Sequence, residues 1–187
     1  MSWTRRVALV LALLGALVFA GVASANISGT AKGIELPQGD GIYTLQGTWT
    51  DSASGTNGTY TGTLNNSGDY TTCVVPFPCA LAPPELQHCN GVNGTMTFRA
   101  PGESFTLAWG PIEFFSMQYV SFICLDPNDS SVHNVQFAFE NFGPAPFTEG
   151  FPETINFALG SLSGTSAEAG ASGLFLDRFD FSVTLFF

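Results

Sequence analysis

The chain has 187 residues, with five Lys and Arg against 15 Asp and Glu. All the acids lie beyond residue 25, and only Lys32, Arg99 and Arg178 remain there as bases, so residues 26–187 carry a net charge of −12. Nucleic acid and anionic lipid bind through clustered Lys and Arg, so this balance excludes direct nucleic-acid binding. Charged residues make up 11% of the chain, against about 25% in ordinary soluble domains, which leaves Thr, Ser, Asn and Gly to cover much of the surface.

Residues 1–25 open with Ser2, Thr4, Arg5 and Arg6, continue through an apolar run over residues 7–22, and end on Ala23-Ser24-Ala25. That three-part layout predicts a cleaved export signal. The small-residue site and the abrupt change to Asn, Ser, Thr and Gly argue against a spanning helix, although the run approaches the length one needs. Cleavage after Ala25 leaves residues 26–187 as one exported β-domain, placed outside the cell or in its envelope. In that oxidising setting Cys73, Cys79, Cys89 and Cys124 predict two disulfides. Of the three connectivities, Cys79–Cys89 and Cys73–Cys124 are expected, because the first pair flanks a Pro83-Pro84 loop and the second sits in strand-like runs. No C-x2-C spacing accompanies His88, so no metal or cofactor is expected.

Beyond the signal the apolar residues recur with period two, the mark of half-buried strands. Over residues 43–50, Tyr43, Leu45, Gly47 and Trp49 share one face, and Thr44, Gln46, Thr48 and Thr50 the other. Asn57-Gly58 signals a turn, residues 59–64 alternate again, and residues 70–75 form a further candidate before an irregular Pro-rich loop. Met96 and Phe98, the turn Pro101-Gly102, and Phe105, Leu107 and Trp109 predict a hairpin. Residues 112–125 slip in phase around Phe114-Phe115, which suggests a bulge or successive strands. Asp126-Pro127-Asn128-Asp129 reads as an Asx turn in preference to a partial calcium loop.

His133, Val135, Phe137 and Phe139 line the next strand, followed by a long connection over residues 140–153. Ile155, Phe157 and Leu159 form a short strand, residues 161–173 a Gly/Ser/Ala stretch, and Phe179, Phe181, Val183, Leu185 and Phe187 one face of the last strand. Eight to ten such strands without helices predict an all-β fold, an antiparallel jelly-roll-like sandwich or a small barrel. Sixteen of the 18 Phe follow residue 90, so most of the core is expected in the C-terminal half.

Chemistry is thinly supported. The exported part has only His88 and His133, and no G-x-S-x-G elbow, so a nucleophilic triad is not expected. Pro111-Ile112-Glu113-Phe114-Phe115 and Thr148-Glu149-Gly150-Phe151 resemble the strand segments carrying the nucleophile and the acid in small jelly-roll xylanases, and that resemblance implies paired-Glu glycoside hydrolysis. It covers nine residues, and the four Tyr and two exported Trp fall short of a sugar-stacking cleft. The alternation back from Phe187 resembles the closing strand of bacterial outer-membrane barrels, and implies a small eight-stranded membrane barrel. The expected function is a non-catalytic binding, adhesion or surface-structural module for an extracellular protein or glycan. Its candidate contact loops are residues 73–89 and 140–153, with Phe77, Phe142, Phe147 and Phe151.

Overall fold

A computed structural model describes residues 24–66, 89–110, 112–114, 117–119, 121–142 and 157–186. Ten strands form one antiparallel sheet: β1 (Ser24–Gly39), β2 (Ile42–Asp51), β3 (Asn57–Asn65), β4 (Cys89–Gly91), β5 (Asn93–Ala100), β6 (Glu103–Trp109), β9 (Phe122–Leu125), β10 (Val132–Phe142), β11 (Phe157–Glu168) and β12 (Phe175–Phe186). A separate hairpin pairs β7 (Ile112–Phe114) with β8 (Met117–Tyr119). The order β11-β12-β1-β2-β3-β5-β6-β10 closes on itself because β10 also pairs with β11 along its length. Of the two expected architectures the structure is the barrel, closed by eight strands.

Inward positions can be followed round the barrel by register: His133, Ser166, Asp177, Gly33, Gly47, Tyr60, Phe98, Phe105. This rung leaves β10 at His133 and reaches β6 at Phe105, whereas β6 meets β10 through Trp109 and Phe139. Four steps on one strand and six on the other give a stagger of ten residues. Such shear tilts the strands and leaves an eight-stranded interior just wide enough for side chains to fill. It also leaves β6 only two paired residues on β10, at Phe139 and Glu140, while His133 to Gln136 pair with β9 instead.

The interior is filled with rings. Phe98 stacks on Phe105 at 5.1 Å and meets Trp49, Tyr60, Phe139 and Phe181; Trp109 stacks on Phe137 at 4.5 Å. Leu45, Leu64, Met96, Leu107, Leu162, Val183 and Leu185 also belong to the buried cluster, in which only Ala31, Leu45, Trp49, Tyr60 and Leu64 precede residue 90. Most outward positions are polar: Thr44, Gln46, Thr48 and Thr50 on β2, Thr59, Thr61 and Thr63 on β3, Arg178, Asp180 and Ser182 on β12, where Leu176 is an exposed apolar exception. Cross-strand hydroxyl pairs join Thr63 to Thr95 and Thr97 to Thr106 on this outer surface.

Several expectations need correction. The hairpin turn before β3 occupies residues 51–56 and Asn57 already begins the strand, because the Asp51 carboxylate accepts from Ser54 N at 2.6 Å and Ser54 Oγ at 2.5 Å and ties the loop. Residues 161–173 do not form a linker. Ser161 to Glu168 complete β11, whose Gly160 and Gly164 lie so close to β12 that a Cβ at either would collide with the β12 backbone. Phe157 and Leu159 accordingly alternate outward, while Ala158 and Leu162 are fully buried. β1 carried no aromatic alternation and is nonetheless sixteen residues long.

The expected cysteine pairing is also overturned. β4 and β9 set Cys89 directly opposite Cys124, and the two form a disulfide with Cα atoms 4.0 Å apart. Cys73 and Cys79 lie outside the described residues, as do His88, Phe77, Phe147, Phe151 and Glu149. The predicted Pro101-Gly102 turn is present, with Gly102 at φ 78° supplying the left-handed position.

Candidate functional site

The only concentration of buried ionisable groups among the described residues lies inside the barrel, towards the end that carries the β1–β2 and β11–β12 hairpins. Glu35 on β1 and Asp177 on β12 are each 2% exposed. Both occupy inward positions: Asp177 is in phase with Phe175, Phe179 and Phe181, and Glu35 with Ala31. They sit on neighbouring strands two register positions apart, Glu35 opposite Phe175 and Asp177 opposite Gly33, close enough for the Asp177 charge to act on Glu35. Ser166 on β11 donates to Asp177 Oδ1 at 2.8 Å and is itself fully buried.

Tyr60 completes the layer from β3. Gly47 and Gly33 lack side chains where the Tyr60 ring passes: a Cβ on Gly47 would collide with the ring, and one on Gly33 with the hydroxyl. The phenol is therefore carried across β2 to a glycine whose register partner is Asp177. Tyr60 Oη, Glu35 Oε1 and Asp177 Oδ2 are all buried without a hydrogen-bond partner. An unpaired buried polar atom costs roughly 1–3 kcal/mol, so this layer is held in place by the surrounding barrel and does not stabilise it by itself.

A row of rings lies over the layer. Tyr43 meets Phe175 edge-on at 6.2 Å, and Phe175 stacks on the His133 imidazole at 4.8 Å. His133, half-buried at the start of β10, packs here. Burial holds its imidazole below the ordinary value.

The electrostatics follow from burial. Removal from water disfavours the charged form, so Asp177 is pushed up to about 7, against which the Ser166 hydrogen bond works. Glu35 is raised well above the usual carboxylate range, first by burial and then by the Asp177 charge. Tyr60 is also raised, by burial and then by the two carboxyls. Burial therefore favours the protonated form of both carboxyls.

This pair does not have the form of a glycosidase site. Retaining chemistry needs two carboxyl groups about 5 Å apart with a sugar between them, whereas Glu35 and Asp177 are both buried away from solvent. Of the residues resembling the xylanase segments, Glu113 falls on β7, with its side chain outside the described residues together with Glu149. The Asp126–Asp129 turn uses its carboxylates on its own backbone: Asp126 Oδ1 accepts from Asn128 N at 2.8 Å, and Asp129 Oδ1 from Ser131 N at 3.0 Å and Ser131 Oγ at 2.6 Å. The Asx reading holds there. Among the described residues no group of three or more His, Cys, Asp or Glu is placed to hold a metal ion.

Of the predicted contact residues, only Phe142 falls in a described element, the last position of β10 paired with Phe157, and its side chain is outside the described part. Sequence reasoning missed Glu35, Asp177, Ser166 and Tyr60 as a group. Comparison with protein-family models, with curated proteins and with solved structures finds no match for this chain.

Proposed function

We propose that the protein is an exported, non-catalytic binding barrel that works in water, making its contacts through its outer surface and end loops. The observation that supports this is the direction of the side chains. Most outward positions of the long strands carry Thr, Ser, Asn, Gln or charged residues, with Leu176, Phe157 and Leu159 as apolar exceptions, while the rings and aliphatics of the core cluster point inward. A barrel in lipid needs the reverse, an apolar belt outside and polar groups within. The alternation of Phe179, Phe181, Val183 and Leu185 that resembled a membrane strand points into the core.

A packed interior leaves a partner the outside of the barrel. The two longest connections, residues 67–88 and 143–156, leave from opposite ends: β3 delivers Asn66 to the end near Glu35, and β10 and β11 are joined at the end where Phe142 pairs with Phe157. Connections of that length on a rigid scaffold are the usual place for ligand contacts.

The test is to express the full chain in a secreting host, recover the product without detergent, and screen it against arrays of glycans and extracellular proteins. Replacing residues 143–156 by a short Gly/Ser linker should leave melting nearly unchanged and remove binding. A protein that stays folded only in detergent, or that hydrolyses the glycans it meets, would overturn the proposal.

A further inference from the structure

The sealed layer of Glu35, Asp177, Ser166 and Tyr60 carries a consequence that holds whatever the barrel binds. We propose that Glu35 and Asp177 form a proton-operated latch, closed when the pair holds its protons, whose release as pH rises towards neutrality opens the end of the barrel between the β1–β2 and β11–β12 hairpins.

The geometry leaves few other ways to satisfy the layer. Glu35 Oε1, Asp177 Oδ2 and Tyr60 Oη face one another's strands without partners. Tyr43 on β2, Tyr60 on β3 and Ser166 on β11 act on the pair; Glu168 on β11 acts on Tyr43, and His133 on β10 is the register partner of Ser166. Lys32 and Arg178 are opposed to each other on the outer face of β1 and β12, so neither neutralises the pair from within. Among the described residues His133 is the cation-forming group on the inner side, and burial lowers its affinity for a proton. A second negative charge in this layer would therefore meet no Lys or Arg.

Opening is the cheapest relief because of where the layer sits. Glu35 lies four residues from the end of β1, and Asp177 two residues from the start of β12. Among the described residues, the groups above them are the Tyr43–Phe175–His133 row and the exposed hairpin residues Gln38 to Asp40 and Gly170 to Ser172. The aromatic core below need not move.

The sign follows from linkage. Both carboxyls bind protons more tightly in the closed barrel than in an open one, where Asp returns to 3.8 and Glu to 4.5. Closure is therefore fully supported below about pH 4 and loses support as pH rises towards about 7, by about tenfold per pH unit for each proton released. Asp51 and Asp129, both held low by serine hydroxyls, act in the opposite sense but only below their ordinary value.

The experiment is amide hydrogen exchange on the detergent-free protein from pH 4.5 to 7.5, expressed as protection factors for β1 and β12 near Glu35 and Asp177 and compared with those near Phe181 and Phe98. The expected result is protection at the latch falling by up to a hundredfold per pH unit while the lower core changes little. Glu35→Gln and Asp177→Asn should each reduce that slope by about tenfold per unit. Carbon-13 titration of the Asp177 carboxyl, which needs no variant, should show it still protonated at pH 6. A flat wild-type profile, slopes unaltered in both variants, or an Asp177 carboxyl ionised by pH 4.5 would each overturn the latch.

Discussion

The inside of the barrel has two regions of opposite character. On β5, β6 and β10 the inward positions include Phe98, Phe105, Trp109, Phe137 and Phe139, which pack on one another and leave almost nothing unsatisfied; the one exception is the buried Trp109 Nε1. Towards the β1–β2 and β11–β12 hairpins, inward positions of β11, β12 and β1 hold Ser166, Asp177, Gly33 and Glu35. The aromatic half gains from burial and close packing. The polar half gives some of that up, with three buried oxygens, Glu35 Oε1, Tyr60 Oη and Asp177 Oδ2, left without partners. The barrel tolerates such a layer because the stability comes from elsewhere, which makes the polar half the place to look for a role other than folding.

The largest effect should come from the aromatic half. Phe98→Ala removes a fully buried ring that touches five others, and should lower stability by about 3–5 kcal/mol in chemical denaturation. A loss below about 1 kcal/mol would mean that the interior is not packed as described. Next comes the disulfide. Cys89–Cys124 closes a loop of 35 residues, so a Cys89→Ala, Cys124→Ala double variant should lose about 2–4 kcal/mol, and Cys73 and Cys79 should then be found joined to each other by mass spectrometry of the wild type.

Gly47→Ala sharpens the boundary between the halves. The added methyl would strike the Tyr60 ring and the Lys32 carbonyl, and should cost about 1–3 kcal/mol through overpacking. Tyr60→Phe should be the smallest effect and has the opposite sign. It removes an unpartnered buried hydroxyl and keeps the ring across Gly47, so stability should be unchanged or raised by up to about 1 kcal/mol. A clear loss would show that Tyr60 Oη has a partner and that the layer is a satisfied network.

The two halves also differ in how far the sequence revealed them. β2, β3, β5, β6, β10 and β12 were legible because their inward residues are large and their outward ones polar, and the period-two contrast survives without tertiary information. β1 and the second half of β11 were not. Their inward positions are Gly29, Ala31, Gly33, Glu35 and Gly160, Gly164, Ser166, small or polar because rings from neighbouring strands occupy the space. A run of Gly, Ser and Ala then reads as linker.

The site was hidden for the same reason. Glu35 and Ser166 become inward only once register is known, and nothing in one strand's sequence tells it what faces it from the next. One signal was there to be read: Asp177 keeps phase with Phe175, Phe179 and Phe181, so a carboxylate sat on the core face of the most regular strand in the chain. The cysteine pairing was misjudged because Cys89 read as part of a proline loop, whereas residues 89–91 add a short strand to β9.

The central claim, that the outer face of this barrel meets water and the inner face is packed, rests on the direction of alternate residues in β3 and β5. Thr63 is exposed on the outer face, and Met96, one diagonal step away, is fully buried. The direct measurement is the melting of Thr63→Lys and Met96→Lys in detergent-free buffer. The account predicts a change within about 0.5 kcal/mol for Thr63→Lys and loss of the folded state for Met96→Lys. A protein that tolerates lysine at 96 and not at 63, or that folds only in detergent, would contradict it.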